Sequence, residues 1–221
     1  MDKTVPSGAA ILLDFIRKTE VGTAEPRGYD VIYANKQAHL PKPITRMTVA
    51  ELQAHQSKGW PAKSTASGGY QFMRATLAGL RKELGLRDGQ IFDADLQDRL
   101  GFHLLKRRGY ESFMAGKISA AEFGKRLAME WASFPVLAAT KGAHRQLKRG
   151  QSYYAGDGLN KALVAPEVVE AMIERAWKAG NKPVANKPAA PKPTTKPTTG
   201  PAFAAVLLIA AAAALFLIFG T

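Results

Sequence analysis

The composition of the chain breaks at Gly180, and that break limits what can fold. From Gly180 to Gly200 the sequence is Pro, Lys, Thr, Ala and Asn with almost no bulky apolar residue. Such a segment cannot bury a core and is expected to be an extended, disordered tether. Beyond it, Ala202 to Phe219 is an uninterrupted apolar run. Its 18 residues would make a helix of about 27 Å, near the hydrocarbon thickness of a bilayer. The expected organisation is therefore a folded domain over residues 1–180, a linker over 181–200 and a transmembrane anchor over 201–221.

The formal net charge of the whole chain is +13. Setting aside Lys182, Lys187, Lys192 and Lys196 of the tail still leaves a basic domain. Its partners are expected to be anionic: cell-wall polymer, lipid or nucleic acid. There is no cysteine, which excludes disulfides, thiol nucleophiles and thiolate metal sites. His39, His55, His103 and His144 are scattered without ligand spacing, so no metal and no cofactor is expected. Met1 to Ser7 holds a Lys and an Asp, and Asp14 and Arg17 interrupt the apolar stretch that follows. That is not the pattern of a signal peptide.

Within the first 180 residues, apolar periodicity predicts mostly helix. Ile11, Leu12, Phe15 and Ile16 share one face of a segment that Gly22 should end. Thr48-Val49-Ala50-Glu51 and Ser119-Ala120-Ala121-Glu122 read as capping boxes. Tyr70 is expected to open a helix carrying Leu77, Leu80 and Leu84. Asp93 caps one carrying Leu96, Leu100 and Leu104, and Pro166 starts the last. Trp131 and Trp177 fall on these stripes and are expected in the core. The best strand is Val31-Ile32-Tyr33, short enough only for a small hairpin or sheet. Ser64 to Gly69 and the basic stretch Lys141 to Gly150 read as loops. The fold class is α+β, mainly α.

One carboxylate stands out. Glu20 lies at a helix C-terminus, where the partial negative charge of the helix disfavours an anion. It also adjoins an apolar stripe that desolvates the ionised form. A Glu held protonated near neutral pH is what a general acid needs; a solvated Glu in a frayed turn is the ordinary alternative.

Lys18-Thr19-Glu20-Val21-Gly22 with Gly28-Tyr29-Asp30-Val31-Ile32 resembles the start of the lambda-type phage endolysins. Ser64-Thr65-Ala66-Ser67-Gly68-Gly69-Tyr70-Gln71 is similar to that family's Ser-Thr-Gly-rich loop ending in Tyr-Gln, and to the Ser…Gly-x-x-Gln motif of lytic transglycosylases. Trp131-Ala132-Ser133-Phe134-Pro135 resembles its Trp-Ala-Ser-Leu-Pro block. The order of the blocks matches, and together they run from about Ile11 to Pro135. Val21 interrupts the family's Glu-Gly pair. The resemblance implies a lysozyme-like helical domain with a small β lobe and a glycan cleft. It also implies cleavage of the β-1,4 bond between N-acetylmuramic acid and N-acetylglucosamine. Glu20 carries over as the catalytic acid, with Ser64, Tyr70 and Gln71, and Tyr29 of the first block, as substrate-binding residues.

Asp30 is a possible second carboxylate. It falls one residue late for the Glu–Asp spacing of phage lysozymes that use two acids, and Lys36 occupies the place of their Thr. With a single acid, lytic transglycosylation is expected; a hydrolytic muramidase is the alternative. A reading of a different class is a membrane-anchored basic module that holds wall polymer or DNA without turnover. Glu20 and the Ser64–Gln71 block discriminate, because a binder needs neither. The expected partners are glycan strands and a bilayer, with no specific nucleic acid, for a monomer in the host inner membrane or a virion membrane.

Overall fold

The computed structural model describes residues 1–182; the expected linker beyond Lys182 and the expected membrane span lie outside the described residues. Among the described residues no helix is long and apolar enough to cross a membrane.

Seven α-helices are present among the described residues: α1 (Ser7–Val21), α2 (Val49–Ser57), α3 (Arg74–Leu84), α4 (Ala94–Arg107), α5 (Tyr110–Met114), α6 (Ala120–Glu130) and α7 (Pro166–Gly180). Their starts follow the sequence signals closely. Thr48 accepts the Glu51 N–H at 3.1 Å while Glu51 returns to the Thr48 N–H at 2.8 Å, a complete capping box. Asp93 accepts the Leu96 N–H at 2.8 Å. Ser119 caps α6 through the Glu122 N–H, but Glu122 binds Arg126 at 2.7 Å instead of closing the box. Pro166 opens α7, where its missing N–H costs nothing.

Four expectations are corrected. Val31–Tyr33 is not a ladder strand. Ile32 makes one isolated bridge to Ser67, and the chain coils into 3-10 turns over Pro26–Asp30 and Tyr33–Asn35. Ala34 and Asn35 adopt left-handed angles of +58° and +55°, which ends the extension. The ladder lies instead in the stretch read as a basic loop: β1 (Thr140–Lys141) pairs antiparallel with β2 (Gln146–Leu147). The helix expected from Tyr70 begins at Arg74, because Gln71 takes φ +51° and turns the chain first. Trp177 is 44% exposed, whereas Trp131 is buried as expected. On α7 the inward stripe is Val169, Ile173 and Ala176, and Trp177 falls beside it.

α1 is the central helix. Ala9, Leu12, Leu13 and Ile16 are buried, and α7 and α4 both pack on it. The α1–α7 approach depends on Gly8. A Cβ there would stand 2.5 Å from the Ala176 carbonyl oxygen and 2.8 Å from the Tyr110 hydroxyl. Backbone on α7 cannot yield cheaply. Gly8→Ala is therefore expected to destabilise the fold by about 1–3 kcal/mol, the usual cost of overpacking, despite the better helix propensity of Ala. Chemical denaturation read by far-UV circular dichroism checks this.

Candidate active site

Glu20 occupies the last turn of α1, which Gly22 ends at φ +78°. Its carboxylate is partly buried, and the Ser133 hydroxyl donates to Oε1. Burial raises the pKa of Glu20 above the ordinary carboxylate value; the Ser133 bond opposes that by stabilising the ionised form. A pocket of about 210 Å³ opens beside this helix end, lined by Val21, Gly22, Thr23, Arg27, Val31, Asn35 and Gln37.

Ser133 is placed by the turn after α6. The Phe134 N–H bonds the Trp131 carbonyl at 3.0 Å. Trp131 Nε1 donates to the Tyr70 carbonyl at 3.3 Å. The Phe134 ring packs on Phe15 with centroids 5.3 Å apart. One short stretch thus grips both α1 and the turn at Tyr70 and delivers a hydroxyl to Glu20 between them. The second block closes on the first as well: Gly68 N–H bonds the Val31 carbonyl at 2.8 Å and Tyr33 N–H bonds the Ala66 carbonyl at 3.0 Å. The three sequence blocks therefore converge on one end of α1.

The remaining predicted residues divide. Gln71 sits in this turn at a strained left-handed angle, and its side-chain amide donates to the Gly68 carbonyl at 2.9 Å and the Val31 carbonyl at 3.3 Å. Ser64 is partly exposed at the start of the loop, and its carbonyl accepts Trp60 Nε1 at 2.7 Å. Asp30 Oδ1 accepts the Thr45 N–H at 2.9 Å, a bond that orders the loop before α2. Tyr29 and Tyr70, expected at the cleft surface, are instead buried at 4% and 1% exposure. Both hydroxyls donate to Oδ1 of Asp98, at 2.7 and 2.5 Å. Burial, with the Asp98 carboxylate beside them, pushes both phenols above the ordinary tyrosine range. Their rings are large and apolar, and the buried acid on α4 gives their hydroxyls an interior partner.

Sequence reasoning missed that partner. Asp98 is fully buried, with Arg17 Nη1 at 3.6 Å and the Asp2 N–H at 2.7 Å. Gln97 beside it binds the Gly69 N–H at 2.9 Å and the Tyr29 carbonyl at 3.0 Å. Gln56 holds the loop from the other side, at 2.8 Å from the Thr65 carbonyl and 3.0 Å from Ser67 Oγ. The available signal was polar side chains on otherwise apolar helix faces, as Arg17 beside Leu13 and Ile16. Among the described residues no three His, Asp or Glu side chains group as a metal would require.

With this geometry in view, the family comparison is decisive: the family model described as Endolysin matches residues 10–160. The chain belongs to the endolysin family. No curated protein and no solved structure matches it. This endolysin is a phage cell-wall-degrading enzyme that acts on peptidoglycan, and the matched span contains all three converging blocks.

The inward tyrosines make a clear prediction. Tyr70→Phe removes a hydroxyl from a buried carboxylate and should cost about 1–3 kcal/mol of stability. Turnover per folded molecule should stay within about twofold of wild type. Parallel melting curves and wall-clearing rates test this; a large loss of turnover in a fully stable variant would return Tyr70 to the cleft.

Proposed function

We propose that this endolysin is a lytic transglycosylase with a lysozyme-like glycan cleft at the C-terminal end of α1. Glu20 acts as its single catalytic acid and base. The observation that supports this best is Glu20 itself: a partly buried carboxyl at a helix C-terminus, biased toward its protonated form, oriented by Ser133. In the reaction, Glu20 gives its proton to the glycosidic oxygen as the bond to C1 of N-acetylmuramic acid breaks. The resulting carboxylate then takes the proton of the muramic acid C6 hydroxyl, and O6 closes on C1. The proton count on Glu20 is restored, and no water is consumed. The C6 hydroxyl is tethered to the reacting sugar, so its attack gains from effective concentration. The bond between Asp30 and the Thr45 N–H favours an ordering role for that carboxylate over water activation. Gln71 and Ser64 are the polar groups offered to the sugars. The apolar run 202–219 would hold the enzyme at a host or virion membrane, for lysis or for wall penetration.

Digestion of purified walls, followed by mass spectrometry, tests the reading. The expected products carry 1,6-anhydro-muramic ends, one water lighter than hydrolytic ones. Glu20→Gln should fold normally and lose activity by orders of magnitude. Reducing muramic ends would instead identify a hydrolytic muramidase. An active Glu20→Gln enzyme would remove Glu20 from the chemistry.

Ser133→Ala gives a pH test. Removing the donor leaves burial unopposed, so the pKa of Glu20 rises further. The protonated acid then persists to higher pH, and the alkaline limb of the activity profile should move upward. A limb that stays in place would show that Ser133 does not tune the acid.

A further inference from the structure

A second cavity lies on the flank of α1 that faces α7. Its volume is about 590 Å³, within the ~300–1,000 Å³ range of ligand clefts. Phe15, Leu163, Val168 and Met172 form its apolar lining; Lys18 and Arg175 bring positive charge to it, and the Asp14 carboxylate, paired with Arg17, also lines it. Leu163 and Val168 are 69% and 44% exposed, so apolar surface stands open to water here. The cations of this molecule divide into paired and unpaired ones. Arg17, Arg81, Arg99, Arg108, Arg126 and Arg149 each bind a carboxylate. Lys18 and Arg175 have no carboxylate partner among the described residues. Their acidic neighbours are engaged elsewhere: Asp14 by Arg17 at 2.7 Å and Glu174 by Lys178 at 2.5 Å.

The groove adjoins the candidate active site. Thr19 and Ala24, on either side of the α1 terminus, belong to its wall. The Leu163 N–H bonds the carbonyl of Ser133 at 2.7 Å, and Ser133 is the residue that holds Glu20. A substituent on a sugar beside Glu20 therefore has a short path round the helix end into the groove.

We infer that the α1–α7 groove binds the peptide stem carried by N-acetylmuramic acid, with Lys18 and Arg175 pairing its carboxylates. This rests on the glycan-cleaving reading above and extends it to the rest of the substrate. Three properties match. The stem is anionic, through the carboxylates of D-glutamate and of the terminal D-alanine, and the groove offers two unpaired cations. The stem carries alanine methyls, which suit the apolar lining. The lengths agree too: Ile11 to Thr19 spans ~12 Å of helix at 1.5 Å per residue, and four extended residues span ~13 Å.

The test compares two substrates with the full-length chain: intact stem-bearing peptidoglycan, and glycan strands stripped of stems by an amidase. Lys18→Glu/Arg175→Glu should lower kcat/KM on stem-bearing strands at least tenfold more than on stripped strands. Lys18→Gln/Arg175→Gln should give a smaller difference of the same sign. Lys82→Glu, an exposed charge reversal on α3, should leave the ratio unmoved. Melting temperatures report folding, and both cations are exposed. Titration of the free tetrapeptide stem into the wild-type chain should show saturable binding that the double charge reversal abolishes. Equal losses on the two substrates, a ratio shift also produced by Lys82→Glu, or no tetrapeptide binding would each overturn the inference. A wild-type chain inert on both substrates would instead overturn the glycan-cleaving reading.

Discussion

A carboxylate with no exposure to water, Asp98, is the interaction on which the rest of this domain depends. Removing an ionised carboxylate from water costs several kcal/mol unless hydrogen bonds and charge are returned to it. Here they come from four separate stretches: the Asp2 N–H, Arg17 on α1, the Tyr29 hydroxyl in the first 3-10 turn, and the Tyr70 hydroxyl in the Gly-rich turn. None of these donors is close to Asp98 in sequence. The acid is satisfied only when all four stretches are in place, so the cluster couples their positions. Arg17 also ties the cluster to Asp14 and the Ala24 carbonyl, both at 2.7 Å, and one nitrogen of its guanidinium, Nε, stays buried without a partner.

That cluster sets the register of α1 one turn before Glu20. The same Tyr70 that donates to Asp98 through its hydroxyl accepts Trp131 through its carbonyl. The position of Glu20 relative to Ser133 thus follows from a chain of contacts that begins at a buried acid on α4. The two carboxylates end in opposite situations. Asp98 is buried among hydrogen-bond donors and beside Arg17. Glu20 is partly buried with one hydroxyl for compensation, at the helix end least favourable to an anion. The contrast between them, in one small domain, is set by the number of donors each receives.

Backbone strain gathers in the same region. The non-glycine residues with left-handed angles among the described residues are Ala34, Asn35 and Gln71. Asn35 lines the pocket beside the α1 terminus, and the Gln71 side chain bonds the carbonyl of Val31 from the same pocket wall. Such angles cost about 1 kcal/mol or more each and persist where surrounding structure holds them. Gln56, Gln97 and the Gln71 amide supply that support with bonds to backbone.

Local signals in the sequence determined much of this protein. Helix starts at Thr48, Asp93, Ser119 and Pro166, the stop at Gly22, and the placement of Glu20 in the last turn of α1 are properties of a few neighbouring residues, and they were legible. So was the order of the three motif blocks, which the family match over residues 10–160 supports. Tertiary structure alone decided the rest. Val31–Tyr33 had the composition of a strand but no partner long enough to make one. The pairing formed in the basic loop, where Gly142 to Arg145 could turn the chain. Tyr29 and Tyr70 had the amphipathic character of sugar-binding residues, and only the presence of Asp98, far along the chain, drew their hydroxyls inward. Whether a tyrosine faces glycan or core depends on which polar group waits in the interior, and that is a fact about packing that no stretch of sequence carries by itself.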